Sequence, residues 1–306
     1  MGVNISSYIY NSIQLFSMHD FKGWGRKKTG RYASWCQKEV GGKVTLYEDG
    51  FIRSLGLGVD GCKAWSYVED EIGIYYDATT PSKLEKILNS YDFQADKPLM
   101  QEANKAIKLI IKNKISKYNN SEDFDSSSLQ KSKNRVLIIS QTGGDASLKY
   151  GLAEKFTTKD MIDAAIEENP EADIYLKIHP DVLSGKKVSD VDVEYAKERT
   201  IIIDKNVNPI SLLQHFTKVY TKTSQMGFEA LLVGCECVCF GMPFYAGWGI
   251  SSDKQNSKRR ERVLSIEEVF AASYILYTKY QNPFTKKEID IFETIEGIIE
   301  LKKEAN

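Results

Sequence analysis

Three acidic residues in two short segments have the types and settings that group-transfer chemistry requires. Glu48 and Asp49 follow a short predicted strand, and Asp145 lies among glycines and small residues that leave it sterically open. A carboxyl group in a cleft at a strand end can have its pKa raised and serve as a general acid, and an open carboxylate can act as a nucleophile or a base. Taken singly, each of these residues is also explained by a surface turn or another structural role.

A strand that runs into a helix supplies a candidate phosphate site. The segment 219–232 begins with β-branched and aromatic residues, breaks at small polar residues, and continues with apolar residues at helical spacing. Ser224, Gln225 and Gly227 lie at the helix start, where unpaired backbone N–H groups and the positive end of the peptide dipole suit an anion. Glu229 follows Gln225 by one turn and can accept hydrogen bonds from a ribose. The alternative is an N-cap serine with a solvated glutamate.

Polar residues also follow two other predicted strands. Gln141 comes directly after one strand, and Lys177 and His179 lie at the end of the next. His179 precedes Pro180, which favours extended backbone geometry from which the imidazole can hydrogen-bond a phosphate. Because parallel strands end at the same edge of a sheet, the sequence predicts that these residues and Ser224 meet in one crevice.

The second half of the chain alternates strands with helices, which is typical of βαβ units and a parallel, Rossmann-like sheet. The predicted strands are 135–140, 173–178, 200–203, 218–222 and 236–240, and the predicted helices are 158–168, 209–216 and one from 224 onward. Neither the glycine pattern of dinucleotide-binding folds nor a P-loop is present, so no such nucleotide is indicated.

The first half predicts a glycine-rich basic loop at 21–30, strands at 43–47 and 72–77, and helices at 31–39, from 80 onward and at 99–118. The polar, serine-rich stretch 119–134 reads as a linker. We therefore divide the chain into an N-terminal lobe (1–118), the linker, a Rossmann-like C-terminal lobe (135–264) and closing C-terminal helices (265–306).

Composition excludes several classes of protein. The 306 residues carry a formal net charge of -1, which argues against a nucleic-acid partner. Five cysteines occur without a C-x-x-C pair, as expected of reduced thiols in the cytoplasm. The sequence shows no apolar run of membrane-spanning length and no signal-peptide pattern, so we expect a cytoplasmic protein. The basic patch 258–262 suits an anionic surface or is a solvated loop.

Seven motifs, in order along the chain, carry a specific resemblance. They are FKGWGRKKTG, EDGFIRSLGLG, DEIGIYYDATTPSKLE, QTGGDAS, KIHPD, TSQMGFEALL and CFGMPFYAGWG. Together they resemble the bacterial β-Kdo glycosyltransferases of the capsule polysaccharide export family, the KpsC and LipB type. The resemblance implies a GT-B-like α/β fold of two Rossmann-type lobes with a cleft between them. It also implies CMP-β-Kdo as the donor, transfer with net retention, and no metal or other cofactor.

By the same resemblance Asp145 is the nucleophile and Glu48 the acid/base, with Asp49 as its fallback. His179 joins this catalytic group and also contacts CMP together with Pro180, Ser224, Gln225 and Glu229. Gln141 and Gly227 complete the predicted donor site. From their charge alone, not from the resemblance, we also expect Arg53 or Lys177 to pair with the carboxylate of the sugar.

The implied acceptor is a Kdo-containing glycan or a lipid-linked glycan, with capsule-assembly proteins as further partners. A lipid-linked acceptor would place the protein peripherally on the inner membrane, with 258–262 as a candidate contact. The family often carries two catalytic modules, and this chain has the length of one. Two alternatives stay open: a sialyltransferase-like enzyme that uses another CMP-sugar, and a non-catalytic capsule-assembly module. The linkage and the oligomeric state are not indicated.

Overall fold

The computed structural model describes residues 19–58, 61–131, 134–179, 182 and 188–305. In these residues the chain forms two β-sheets, each with helices packed against it, and a cleft lies between them. The expected α/β fold of two lobes is confirmed. Among the described residues no helix is both long and apolar enough to cross a membrane.

The elements in chain order are as follows. The strands are β1 Asp20–Trp24, β2 Lys43–Asp49, β3 Ser66–Asp70, β4 Arg135–Ile139, β5 Asp173–Lys177, β6 Ile201–Ile203, β7 Lys218–Thr221, β8 Glu236–Cys239, β9 Ser252–Asp253, β10 Thr278–Gln281 and β11 Glu288–Ile289. The helices are α1 Lys28–Val40, α2 Lys83–Ser90, α3 Lys97–Asn113, α4 Ala146–Tyr150, α5 Thr158–Glu168, α6 Val193–Arg199, α7 Pro209–Leu213, α8 Gln225–Leu232, α9 Ile266–Phe270 and α10 Ile291–Ala305. A 3₁₀ turn, Ser126–Ser128, and a π-helix, Ala271–Tyr277, complete the set.

The C-terminal lobe is a parallel sheet in the order β6-β5-β4-β7-β8-β9. Its central strands are rich in β-branched and aromatic residues, and Leu137, Ile138 and Tyr220 are fully buried. Because all strands run the same way, β4, β5 and β7 end at one edge and deliver the segments after them to the cleft.

The N-terminal lobe has a mixed sheet in the order β1-β2-β3-β10-β11. Here β1 and β2 pair in parallel, whereas the other three pairings are antiparallel. Strands β10 and β11 come from the end of the chain, so this lobe is assembled from two segments far apart in sequence. The predicted linker packs along the C-terminal lobe, where the Phe124 N–H donates to Ser211 Oγ at 2.9 Å.

Several predicted elements are wrong. The predicted strand 72–77 is irregular, because the Asp70 carboxylate accepts the N–H groups of Ile72 and Gly73 at 2.8 and 2.7 Å and turns the chain after β3. The predicted glycine-rich basic loop begins as strand β1. The predicted closing helices include strands β10 and β11, because 278–289 pairs with the N-terminal sheet rather than continuing the helical hydrogen bonds.

A single hydrophobic core joins the N-terminal lobe to the segment after β8. The Phe51 ring lies 4.7 Å from that of Phe244 and 4.9 Å from that of Tyr274, measured between ring centres. Trp248 and Tyr245 are fully buried in this core. The aromatic segment 240–249 therefore packs mainly inside the molecule, in contact with the N-terminal lobe through Phe51.

Candidate active site

The cleft between the lobes has a volume of about 660 Å³. Residues of both lobes line it, and the N-terminal lobe contributes Lys27, Glu48, Asp49, Tyr75, Tyr76, Lys117 and Tyr118. The C-terminal lobe contributes residues 140–142 and 144–147, His179, residues 223–225, Pro243 and Phe244. The carboxylates predicted from separate halves of the sequence thus line one space.

Glu48 lies at the end of β2, half-buried in the N-terminal wall of the cleft. Its Oε1 accepts hydrogen bonds from Trp24 Nε1 at 2.8 Å and from the Asp49 N–H at 3.2 Å. Burial raises the pKa of this carboxyl above its ordinary value, although these hydrogen bonds and the nearby Lys117 ammonium oppose the rise. Its environment therefore favours a group that can carry a proton.

Gly25 fits the chain closely against Glu48. Its φ is +38°, and a Cβ at this position would overlap Glu48 Oε2 and the Tyr76 hydroxyl. The Tyr76 hydroxyl also accepts the Arg26 N–H at 2.7 Å. The turn after β1 is therefore shaped around the carboxylate of Glu48.

Asp49, the fallback acid/base, also lines the cleft, but it is ion-paired. Arg53 Nε lies 2.8 Å from Asp49 Oδ1, and Arg53 Nη1 donates to Ser54 Oγ at 2.8 Å and to the Cys62 carbonyl at 3.2 Å. Arg53 is not among the residues that line the cleft. Its predicted contact with the sugar carboxylate is therefore not supported, because its guanidinium is used within the N-terminal lobe.

Asp145 lies on the opposite wall, where it is exposed and forms the N-cap of α4. Its Oδ1 accepts the Ser147 N–H at 2.9 Å, which orients the carboxylate. Both Glu48 and Asp145 act electrostatically on Tyr75 and Tyr118, whose pKa values are raised mainly by burial. These two tyrosines therefore lie within reach of both walls.

The start of α8 opens on the cleft through Ser224 and Gln225. Ser224 caps the helix by accepting the Met226 N–H at 3.2 Å, as the alternative interpretation of this segment expects. The Gln225 amide is turned toward the N-terminal lobe, where it donates to the Phe51 carbonyl at 2.8 Å. Gln141 also lines the cleft, and its amide bonds to the Thr223 N–H and hydroxyl at 2.8 and 3.0 Å.

Gly227 and Glu229 were predicted to contact the donor, but neither lines the cleft. A Cβ at Gly227 would overlap the Tyr245 hydroxyl, which donates to the Ser224 carbonyl at 2.6 Å, so the glycine serves packing. Glu229 is 2 % exposed and accepts hydrogen bonds from the Ser116 hydroxyl, at 2.6 Å, and from the Lys117 N–H. Burial raises the pKa of Glu229 to about 7.

His179 lines the cleft from the end of β5 and is exposed. Lys177, two residues earlier, does not line it, because its ammonium donates to the Lys205 carbonyl at 2.9 Å. Burial lowers the pKa of Lys177 to about 8. Its predicted role with the sugar carboxylate is therefore not supported, and Pro180 lies outside the described residues.

Two lysines of the cleft were not among the predicted site residues, although one of them, Lys27, lies in the predicted basic loop 21–30. Lys117 and Lys27 both line it on the N-terminal wall. Lys117 acts electrostatically on Glu48 and Glu229, and it lies just beyond the end of α3, which reads only as a lysine-rich helix. The sequence signal that could have identified Lys117 is its position just before the predicted linker 119–134, where the chain passes from one lobe to the other.

The three arginines of the basic patch 258–262 are bonded to groups within the protein, whereas Lys258 is exposed. Arg260 is 9 % exposed and donates to the Pro243 and Ala246 carbonyls at 2.5 Å each. Arg259 pairs with Glu85 at 2.7 Å, and Arg262 bonds the Leu88 and Tyr91 carbonyls. The expected contact with an anionic surface is therefore not supported for these arginines, whose guanidinium groups are used in contacts within the protein.

Among the described residues no group of three or more His, Cys, Asp or Glu side chains is placed to hold a metal ion. The five cysteines are free thiols, as expected. That transfer needs no metal stays a prediction from the resemblance.

Comparison with known proteins decides the family. The profile of the family described as capsule polysaccharide biosynthesis protein matches residues 20–280. The chain belongs to this family. The seven motifs that carry the resemblance lie within the matched residues, and the family identified from them is confirmed.

Relatives agree with this assignment. The capsule polysaccharide modification protein LipA of Neisseria meningitidis serogroup A is 42% identical over 293 residues, which cover 92% of this chain and 41% of LipA. The lipopolysaccharide-processing protein LpsZ of Rhizobium meliloti is 38% identical, with 89% of this chain and 62% of LpsZ covered. The chain thus spans about two fifths of LipA.

Two solved structures of Thermosulfurimonas dismutans KpsC are similar to this member of the capsule family. The β-Kdo 2,4-transferase has a TM-score of 0.84 and 44% identity, with 91% of this chain and 86% of that chain covered. The β-Kdo 2,7-transferase has a TM-score of 0.75 and 29% identity, with 99% and 91% covered.

Proposed function

We propose that this chain is a retaining glycosyltransferase that moves Kdo from CMP-β-Kdo to a glycan or glycolipid acceptor in capsule polysaccharide synthesis. Family membership and the likeness to both KpsC structures support a Kdo transferase. The observation that carries the proposal is that Glu48 and Asp145, from opposite lobes, line one cleft together with the start of α8.

Of the two linkages named for the KpsC structures, we propose the 2,4 linkage. Identity to the 2,4-transferase is 44%, against 29% to the 2,7-transferase, and the TM-score is also higher. The acceptor would then bind with its hydroxyl at position 4 directed toward Glu48.

In the first step one oxygen of the Asp145 carboxylate attacks C2 of Kdo. The bond from C2 to the phosphate oxygen breaks, and CMP leaves with that electron pair. The start of α8 at Ser224 and Gln225 suits the phosphate, because the first turn of a helix presents N–H groups and a partial positive charge. The product of this step is Kdo esterified to Asp145.

In the second step the acceptor hydroxyl attacks C2 of the esterified sugar while Glu48 takes its proton. The Asp145 carboxylate leaves, the β-linked product forms, and Glu48 returns its proton to solvent. Two inversions at C2 give net retention. The raised pKa of the Glu48 carboxyl suits a group that takes up and releases a proton.

The carboxylate of Kdo itself needs a cationic partner in the cleft. Lys117 and Lys27 replace Arg53 and Lys177 in this role, because both lysines line the cleft whereas the other two cations are used elsewhere. Lys27 is exposed and Lys117 is half-buried, and each ammonium is a point charge on a flexible side chain that can reach a carboxylate in the cleft.

The proposal is tested by turnover with defined substrates. The protein is incubated with CMP-Kdo, or with CMP-sialic acid as the matched donor, and a soluble Kdo-terminated acceptor, and the product linkage is read by NMR. We expect a β-2,4-linked Kdo product from CMP-Kdo alone. Transfer of sialic acid, an α-linked product, or no transfer from either donor would each contradict the proposal.

A further inference from the structure

Helix α1 is fixed to the N-terminal lobe by one side. Ala33 is buried, and a Cβ at Gly30 would overlap the carbonyl oxygen of Gly25, so the helix lies directly on the turn after β1. The opposite side of α1 faces solvent. Because the helix is held by small residues, its long side chains are concentrated on the outer side.

The outer side of α1 combines exposed aromatic and basic side chains. Tyr32 and Trp35 are 65% and 54% exposed, and their rings stack with centres 5.7 Å apart. Lys28, Arg31 and Lys38 are exposed on the same side, at helical spacing. We call these five residues the aromatic-basic face.

Charge on this helix contrasts with the rest of the protein. Glu39, exposed one turn after Trp35 on the same side, is the only acidic residue between 28 and 40. This side therefore carries three cations and one anion, although the whole chain has a formal net charge of -1. A surface that joins aromatic rings to several cations suits the headgroup region of an anionic bilayer, where Trp and Tyr prefer the interface and Lys and Arg meet lipid phosphates.

A second copy of the chain fits this surface poorly. In a twofold dimer this face would meet its own copy, so two surfaces of the same net positive charge would be brought together. Anionic lipid removes this repulsion. We therefore propose that the aromatic-basic face is the surface by which the protein binds an anionic lipid bilayer.

The position of α1 connects this surface to the cleft. The helix follows directly after Lys27, which lines the cleft, and after Trp24, which bonds Glu48. Binding through α1 would bring the N-terminal wall of the cleft next to the bilayer. The idea that lipid binding brings the cleft to a membrane-bound acceptor rests on the proposed function, whereas the lipid binding itself does not.

Vesicle sedimentation tests the proposal without any donor or acceptor. The full chain is mixed with phosphatidylcholine vesicles and with vesicles that also contain phosphatidylglycerol, at low and high salt. We expect binding to the anionic vesicles that weakens with salt. The triple variant Lys28→Glu, Arg31→Glu and Lys38→Glu should lower the partition coefficient about 100-fold, and Tyr32→Ser with Trp35→Ser about tenfold.

Matched controls distinguish the effect of the aromatic-basic face from the effects of changing the net charge or removing any exposed aromatic ring. The triple variant Lys105→Glu, Lys108→Glu and Lys112→Glu makes the same charge change on the exposed side of α3, and Phe284→Ser removes another exposed aromatic ring. Both controls should bind anionic vesicles nearly as the parent does. All variants are compared with the parent for cooperative thermal unfolding, which should be retained because the changed side chains are exposed.

Three results would overturn the proposal: no binding of the parent to anionic vesicles, equal losses in the α1 and α3 triple variants, or self-association in solution that the Tyr32 and Trp35 changes abolish. Transfer to a soluble acceptor should be unchanged in the α1 variants. If the parent binds vesicles but transfers no Kdo, the proposed function fails and the lipid surface stands.

Discussion

Glu48 on the N-terminal wall of the cleft is half-buried and bonded by Trp24 and the Asp49 N–H, whereas Asp145 on the C-terminal wall is exposed and bonded by the Ser147 N–H. The C-terminal wall comes from strand ends of one parallel sheet, so neighbouring strands deliver it. The N-terminal wall depends on contacts between distant segments. The C-terminal wall thus supplies the exposed carboxylate of Asp145 at the edge of a sheet. The N-terminal wall supplies the carboxyl group of Glu48, whose pKa is raised by burial.

The largest expected effect comes from removing either carboxylate. Asp145→Asn keeps a good N-cap for α4, so the fold should be unchanged while the nucleophile is lost and transfer falls by at least about 10³-fold. Glu48→Gln should lower transfer by about 10²- to 10⁴-fold, because it removes the acid/base group. Initial rates at saturating CMP-Kdo provide the measurement. If either variant kept activity near that of the parent, the role assigned to that residue, nucleophile for Asp145 or acid/base for Glu48, would be wrong.

Substitution of Arg260 tests whether contacts between distant segments stabilise the N-terminal lobe. Arg260→Met leaves the Pro243 and Ala246 carbonyls without this donor and removes one partner of the buried Glu85, so we expect a loss of about 3–5 kcal/mol in the free energy of unfolding. Lys258→Met, at an exposed position nearby, should change stability by less than about 0.5 kcal/mol. Urea unfolding gives both values, and equal values would contradict the internal role of Arg260.

Glu229 makes stability depend on pH. Its pKa is raised to about 7 in the folded protein from an ordinary 4.5, so the folded state keeps a proton that the unfolded state loses as pH rises. Its contribution is therefore full below pH 4.5 and is lost as pH rises through 7. Between about pH 5 and pH 8, the stability of the parent relative to Glu229→Gln should fall by roughly 2–3 kcal/mol. A difference independent of pH would show that Glu229 is ionised in both states.

The smallest effect concerns the pH profile of transfer. Trp24→Phe removes a hydrogen bond that lowers the pKa of Glu48, so that pKa should rise. Because the second step needs ionised Glu48, the acid limb of the rate profile should move to higher pH by about 0.5–1 unit. Trp35→Phe, at the exposed position on α1, is the matched control and should leave the limb in place. A shift of the same size in both variants would mean that Trp24 does not tune Glu48.

The C-terminal lobe was predictable because each of its longer elements carries a local sequence pattern. Strand-helix alternation gave the parallel sheet, and the helix start at Ser224 and the cleft positions of Gln141 and His179 followed from strand ends meeting at one edge. The short helices α4 and α6 were not predicted, since five to seven residues carry too little periodicity.

The N-terminal lobe was harder to predict because pairing between distant residues forms it. Strand β10 pairs with β3 across more than half the chain, and no local pattern distinguishes it from the helix that precedes it. The burial of Glu229 and Arg260 was missed for the same reason, since their partners Ser116 and Glu85 lie far away in sequence. The motifs brought Glu48 to notice, but its hydrogen bond from Trp24 required the structure.

The most direct test of the central claim is the intact mass of the protein after incubation with CMP-Kdo in the absence of acceptor. We predict a species that carries one Kdo residue, ester-linked to Asp145 in peptide mapping, absent from Asp145→Asn, and enriched in Glu48→Gln because that variant is slowed in the second step. The account would be contradicted if the parent transferred Kdo normally when acceptor is added but formed no such species when acceptor is left out, or if the Kdo residue were attached to another side chain.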